Sequence, residues 1–165
     1  MVLEVIRKLL LDNGIEHREV HHAPTFTSEE SAAARGEDLS TGGKALLLKV
    51  GEEFRLFVLS AALKLDSAAI KERFQVKKIR FATAEELQRL TGLTPGSVPP
   101  FGNPVLPFEL YVDPSITANG KIAFNAGSLT ESIVMRTEDY LKIAHPRIFR
   151  FAFHDPNPAG SGPRT

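Results

Sequence analysis

Two segments of this sequence are equipped for chemistry: a lysine set behind paired glycines, and a later loop dense in glycine and proline. Lys44 follows Thr41-Gly42-Gly43 and opens the apolar run Ala45-Leu46-Leu47-Leu48. An ammonium entering from a buried strand could meet a phosphate or a developing oxyanion. Read alone, the same lysine is an exposed charge at a strand end, because lysine is rarely buried unless paired. It does not belong to a phosphate-binding P-loop, since Asp38 stands where that pattern needs its first glycine and no Ser or Thr follows Lys44. The second segment runs from Thr91 to Gly102, and Pro95, Pro99, Pro100, Pro104 and Pro107 crowd it and the residues just beyond it. Prolines reduce the entropy lost on ordering and glycines permit close approach of backbone to a ligand, so such a loop can wall a small site or serve as a rigid connection. Phe101, Leu106 and Phe108 mark it as packed rather than loose.

Other candidates are weaker. His21 and His22 precede Ala23-Pro24, but neighbouring strand residues face opposite ways, and no HExxH or His/Asp cluster accompanies them. Metal catalysis is therefore not expected; one histidine serves a polar strand end and the other contacts substrate or does the same. Gly127-Ser128 lacks the G-x-S-x-G elbow of a serine nucleophile, so Ser128 either stabilises a turn or donates to a ligand. Asp113-Pro114-Ser115 carries the same ambiguity.

Composition narrows the chemistry. The absence of cysteine removes thiol nucleophiles, thiolate metal sites and disulfides together. The 165 residues are 42% hydrophobic and 24% charged with zero formal net charge, the profile of one globular domain without a global field for nucleic acid. Lys71, Arg73, Lys77, Lys78 and Arg80 form a local basic cluster, either a solvated face or a phosphate grip. No apolar run approaches the ~20 residues of a membrane helix, and a cytoplasmic location is expected.

The elements that must position these groups follow from pattern. Val2, Leu3, Val5, Ile6, Leu9 and Leu10 predict an amphipathic helix over 2–13, closed by Gly14. Residues 15–22 are expected to be extended. Thr27 with Glu30, and Thr83 with Glu86, have the capping-box form and open helices over 28–35 and up to Gly92. Lys44–Val50 and Phe54–Ser60 predict a hairpin at the sheet centre, joined by a three-residue loop, Gly51-Glu52-Glu53. Asp66 precedes a helix to Phe74, and strands are expected at 77–81, 109–112, 121–125 and 132–136. Thr137 is expected to cap a last helix to about Ala144. These elements predict an α+β fold, with a mixed, largely antiparallel sheet flanked by helices, in one domain over 1–150 followed by a flexible tail over 151–165.

In order and spacing the motifs resemble the YbaK/prolyl-tRNA-synthetase-associated family of editing deacylases. The matching residues are His22-Ala23-Pro24-Thr25, Gly43 through Leu48, Thr91-Gly92 ahead of Gly96 through Gly102, Tyr111-Val112-Asp113 and Asn125 through Ser128. Each motif is short, and their order over about residues 2–144 makes the resemblance specific. It implies hydrolysis, in trans and without metal or cofactor, of the ester joining a wrong amino acid to its tRNA, with a synthetase as a further partner and no membrane. It places Lys44 on the active-site lysine and Gly96–Pro100 on the G-x-x-x-P loop. Lys44, Gly96, Ser97 and Val98 are then the catalytic set, and His22, Thr25, Pro100, Phe101, Gly102, Asp113, Gly127 and Ser128 line the substrate, with Phe26, Leu47 and Val98 as pocket walls. Pro99 and Pro100 have no N–H, which leaves Gly96, Ser97, Val98, Phe101 and Gly102 as backbone donors to an oxyanion. Two other readings stand: a non-catalytic tRNA or nucleotide binding module, and a small-molecule ester or thioester hydrolase.

Overall fold

Helix α1 (Val2–Asp12) buries Ile6 and Leu10 and exposes Leu11, as its apolar stripe requires. Gly14, at φ 63°, ends it: the Gly14 N–H donates to Leu11 O and the Ile15 N–H to Leu10 O, the Schellman arrangement. The chain, a computed structural model describing residues 1–155, continues through β1 (His17–His21), α2 (Ser28–Arg35), a 3-10 turn (Leu39–Thr41), β2 (Gly43–Val50), β3 (Glu53–Ser60) and β4 (Lys64–Leu65). Then come α3 (Ser67–Phe74), β5 (Ile79–Phe81), α4 (Ala84–Thr91), β6 (Leu110–Val112), α5 (Pro114–Thr117), β7 (Lys121–Asn125), β8 (Glu131–Arg136), α6 (Thr137–Ala144), β9 (Arg147–Ile148) and β10 (Ala152–Phe153).

The fold is α+β. Its main sheet has the order β5-β2-β3-β6-β9, antiparallel from β5 to β3 and parallel from β3 to β9. A second, antiparallel sheet has the order β1-β8-β7, and β10 pairs with β4. The inner strands read as continuous apolar runs because both faces are covered. Leu47, Leu56, Val58, Leu110 and Val112 pack on one side with α1, α6 and the second sheet, while Leu46, Leu48, Phe57, Leu59 and Tyr111 pack on the other with Ile70 and Phe151. The two sheets touch where Gly42 bridges Ala123. A Cβ on Gly43 would lie 2.7 Å from Ile122 Cδ1, and one on Gly42 would lie 3.1 Å from Ala61 Cβ. The paired glycines ahead of Lys44 therefore serve close approach.

Both capping boxes form, at Thr27/Glu30 and Thr83/Glu86, and Gly36 and Gly92 close their helices in the left-handed region. Three local expectations change. The hairpin loop has two residues, since Val50 pairs with Glu53 and Gly51 alone in the loop takes a positive φ, which fits a type II′ turn. Arg136, not Thr137, occupies the N-cap of α6; Thr137 is the first helical residue, and its buried hydroxyl has no hydrogen-bond partner among the described residues. Packing also continues past residue 150: Phe151 is fully buried, and Ala152 and Phe153 pair with β4. The rest of the expected tail, 156–165, lies outside the described residues.

A Cβ on Gly102 would sit 2.4 Å from the Phe108 carbonyl oxygen. Gly102→Ala should therefore destabilise the protein by about 1–3 kcal/mol, read as a lower denaturation midpoint. Arg80 hydrogen-bonds both oxygens of Glu86, at 2.7 and 2.9 Å, and with the Thr83 amide it holds this carboxyl down to about 2 from an ordinary 4.5. A lowered folded-state value means a contribution present above pH 4.5 and lost as pH falls toward 2. Melts of Glu86→Gln and the native protein should differ at pH 6 and converge near pH 2.

Candidate functional site

A cavity of about 840 Å³ opens between α2, the start of β2 and the Gly/Pro loop. That size is within the usual range for small-ligand sites. From the α2 side it is bordered by Thr25, Phe26, Ser31 and Arg35; from β2 by Gly42 through Leu47; and from the loop by Pro95, Gly96 and Val98. Glu29, Phe81, Ala82, Leu87 and Asn125 also line it. Lys44 is half-buried at the beginning of β2, where the glycines have just brought the two sheets together. Phe26 and Phe81 are 76% and 40% exposed, large rings that a core would normally claim.

Beneath the cavity lies a polar network. The Asn125 side-chain N–H donates to the Gly96 carbonyl at 2.6 Å. Its Oδ1 accepts from Arg35 Nη2 at 3.0 Å and from the Ser132 hydroxyl at 3.1 Å. Arg35 Nε donates to Ser132 Oγ at 3.0 Å, and His22 Nε2 lies 2.8 Å from the same oxygen. Arg35 is only 7% exposed, and burial pushes its guanidinium down to about 10 against the opposing field of Glu37. It remains cationic at neutral pH. Glu37 itself pairs with Arg18 and Lys121, so Arg35 is held chiefly by neutral acceptors.

The loop is pinned at three carbonyls. Asn125 takes Gly96 O, the Gly127 N–H takes Ser97 O at 2.9 Å, and the buried Tyr140 hydroxyl takes Pro100 O at 2.6 Å. Burial pushes the Tyr140 phenol well above its ordinary value. Gly96 has φ 88°, a conformation that favours glycine. A trans peptide points its C=O and N–H in opposite directions, so fixing the Ser97 carbonyl on Gly127 aims the Val98 N–H the other way. The Ser97 N–H is engaged differently, donating to Thr94 O at 3.1 Å, and the Ser97 hydroxyl does the same at 2.8 Å.

Of the residues singled out from sequence, Thr25, Lys44, Gly96 and Val98 border one cavity, as do Phe26 and Leu47. His22, Ser97, Pro100 and Gly127 stand behind it and hold its parts through the bonds just described. Phe101 is core, packed edge-on against Phe124 and Tyr140 at 5.5 and 5.4 Å, and Gly102 is buried behind it. Asp113 is a buried fastener: its carboxylate accepts from the Ser115, Phe151 and Ala152 amides. Ser128 stabilises its turn by accepting from the Thr130 N–H. In the basic segment Arg80 pairs with Glu86 and Arg73 covers the Phe149 ring, while Lys77 and Lys78 remain exposed. Arg35, Ser31 and Ser132 were not singled out from sequence, and Asn125 was noted only within a motif. Among the described residues, no three His, Asp or Glu side chains gather as metal ligands would, and no helix is long and apolar enough to cross a membrane.

Comparison with known proteins gives the chain's family. The Multifunctional Ser/Thr-tRNA deacylase ProXp-y of Escherichia coli (strain K12) is 34% identical over 149 residues, covering 87% of this chain and 88% of that protein. A Proline--tRNA ligase of Bacillus licheniformis is 31% identical over 89% of this chain, which spans 26% of the ligase. The crystal structure of a protein put forward as a trans-editing enzyme for prolyl tRNA synthetase superposes with a TM-score of 0.79 at 22% identity, covering 92% of this chain and 97% of that one. Residues 22–143 match the model of the aminoacyl-tRNA editing domain. With that match spanning most of its length, the chain belongs to the aminoacyl-tRNA editing domain family.

Proposed function

We infer that this protein is an aminoacyl-tRNA deacylase that hydrolyses the ester of mischarged tRNA in trans, and that the cavity between Lys44 and the Gly96 loop is where it does so. One observation carries the assignment of the site: the Ser97–Val98 peptide is fixed from behind by the Gly127 N–H, and Val98 borders the same cavity as Lys44. Attack of water on the ester carbonyl produces a tetrahedral oxyanion. The Val98 N–H is the donor best oriented to meet it, and the Gly96 N–H is a second, since neither gives its proton to a backbone acceptor among the described residues. Ser97 drops out of the donor set because its N–H is spent on Thr94.

The remaining chemistry needs little from the protein. An aminoacyl ester is already activated, and the vicinal 2′-hydroxyl of the terminal adenosine can orient the attacking water. Lys44 supplies positive charge, to the terminal phosphate or to the developing oxyanion. The exposed rings of Phe26 and Phe81 suit stacking of an unpaired terminal base, and Lys77 and Lys78 suit nearby phosphates. On this reading the protein works in the cytoplasm, alongside the synthetase whose errors it removes.

A panel of alanyl, seryl, threonyl, cysteinyl and prolyl esters on tRNA tests the reading. The expected result is shortening of at least one ester's lifetime by native protein, whereas salt-sensitive binding without turnover would make the chain a binder. Lys44→Ala should cost about 10²–10³ in kcat, the range for losing one oxyanion contact, in a protein that still folds. A folded variant working at the native rate removes Lys44 from the chemistry. Asn125→Ala leaves the Gly96 carbonyl and Arg35 without their partner; it should lower stability by about 1–3 kcal/mol and depress kcat more than it raises KM.

A further inference from the structure

Among the described residues, the charged side chains bordering the cavity are two cations, Arg35 and Lys44, and a single carboxylate, Glu29. Glu29 and Glu30 both stand in the first turn of α2, but their carboxylates are used differently. Glu30 Oε1 accepts from the Phe26 and Thr27 amides and closes the capping box. The Glu29 carboxylate takes no hydrogen bond and no ion pair from any described residue, and its side chain stands exposed at the edge of the cavity. The helix gains little from it, since a first-turn carboxylate in solvent is only modestly favoured by the positive end of a helix. What remains for Glu29 is a cation brought from outside.

We propose that Glu29 binds the α-ammonium of the esterified amino acid, so that the site takes esters with a free amino group and passes over those whose nitrogen is acylated, a growing peptide among them. The proposal rests on the deacylase reading and deepens it. An α-amino group titrates near ~8 and is mostly charged at neutral pH, so the substrate carries a cation on the carbon next to the reacting carbonyl. Arg35 and Lys44 repel that cation and Glu29 attracts it, which gives the bound ester a polarity. Its ammonium turns toward α2, its carbonyl oxygen toward the Val98 N–H, and its phosphate toward Lys44. An amide nitrogen is neutral and gains nothing from the charge of a carboxylate. Substrate entering the cavity also displaces water from Glu29, which strengthens the pair beyond an ion pair left in solvent.

Exchange of one group on the substrate tests this. The ester that native protein hydrolyses fastest is compared, on the same tRNA, with its α-hydroxy counterpart; for an alanyl ester this is the lactyl ester. Dividing each kcat/KM by the spontaneous hydrolysis rate of the same ester removes the activation that the ammonium itself provides. The corrected amino-to-hydroxy ratio should be about tenfold or more in native protein, the range for a hydrogen bond to a charged group. Glu29→Gln should bring it close to one, Glu29→Lys should bring it below one, and Glu29→Asp should keep part of it. Glu29→Asp against Glu29→Lys decides the matter should Glu29→Gln fail to fold. The N-acetylated ester should be hydrolysed at least tenfold more slowly than the free one. A native ratio near one, a ratio that Glu29→Gln leaves in place, or equal slowing of both esters, as expected if the carboxylate serves the attacking water or the ribose, overturns the proposal while leaving the deacylase standing. Native protein that hydrolyses no ester in the panel removes the deacylase reading and this proposal together.

Discussion

The two sheets meet closely at Gly42 and Gly43. Ile122 fills the space where a Cβ on Gly43 would be, and Gly42 bridges Ala123 directly. That contact sets the position of β7 against β2. Asn125, at the last position of β7, then reaches the Gly96 carbonyl, and Lys44, one residue beyond the glycines, enters the same space from β2. The cation and the loop are thus registered against each other by the Gly42–Ala123 bridge and by the packing of Ile122 onto Gly43.

Arg35 is the second constraint. Its burial costs free energy, as the fall of its guanidinium to about 10 records, and the neutral oxygens of Asn125 and Ser132 offset only part of that cost. A carboxylate in their place would neutralise the guanidinium. The arrangement instead leaves Arg35 charged beside the cavity, which suits a phosphate-bearing ligand and a reaction that develops negative charge.

Much of the scaffold was legible in sequence because its signals are local. Thr27 with Glu30 and Thr83 with Glu86 act across three residues, and the continuous apolar run of each inner strand is written into that strand alone. Lys44 and the Gly96 loop could be singled out for the same reason: a lysine behind glycines and a proline-rich loop are unusual in themselves. The support beneath them could not. Arg35 meets Asn125 across 90 residues and Ser132 across 97, and nothing in the sequence around Arg35 distinguishes it from a helix-terminal arginine in solvent. Asp113 misled in the opposite sense, because a polar residue after a strand looks like a site, while its carboxylate is spent on the amides of Phe151 and Ala152, segments folded back from the far end of the chain. Thr137 shows the limit of capping statistics: Arg136 took the boundary, and the hydroxyl was left in the interior.

Val98 borders the cavity, and the proposed mechanism gives it two roles there, its side chain as part of the wall and its main-chain amide as the donor held by the Ser97 carbonyl bond to Gly127. On the proposed mechanism these are separable properties of one position. Exchanging the side chain reshapes the room available to the amino acid, whereas the amide persists through any replacement except proline. On that mechanism a point mutation at this position alters which amino acid fits while the amide stays in place.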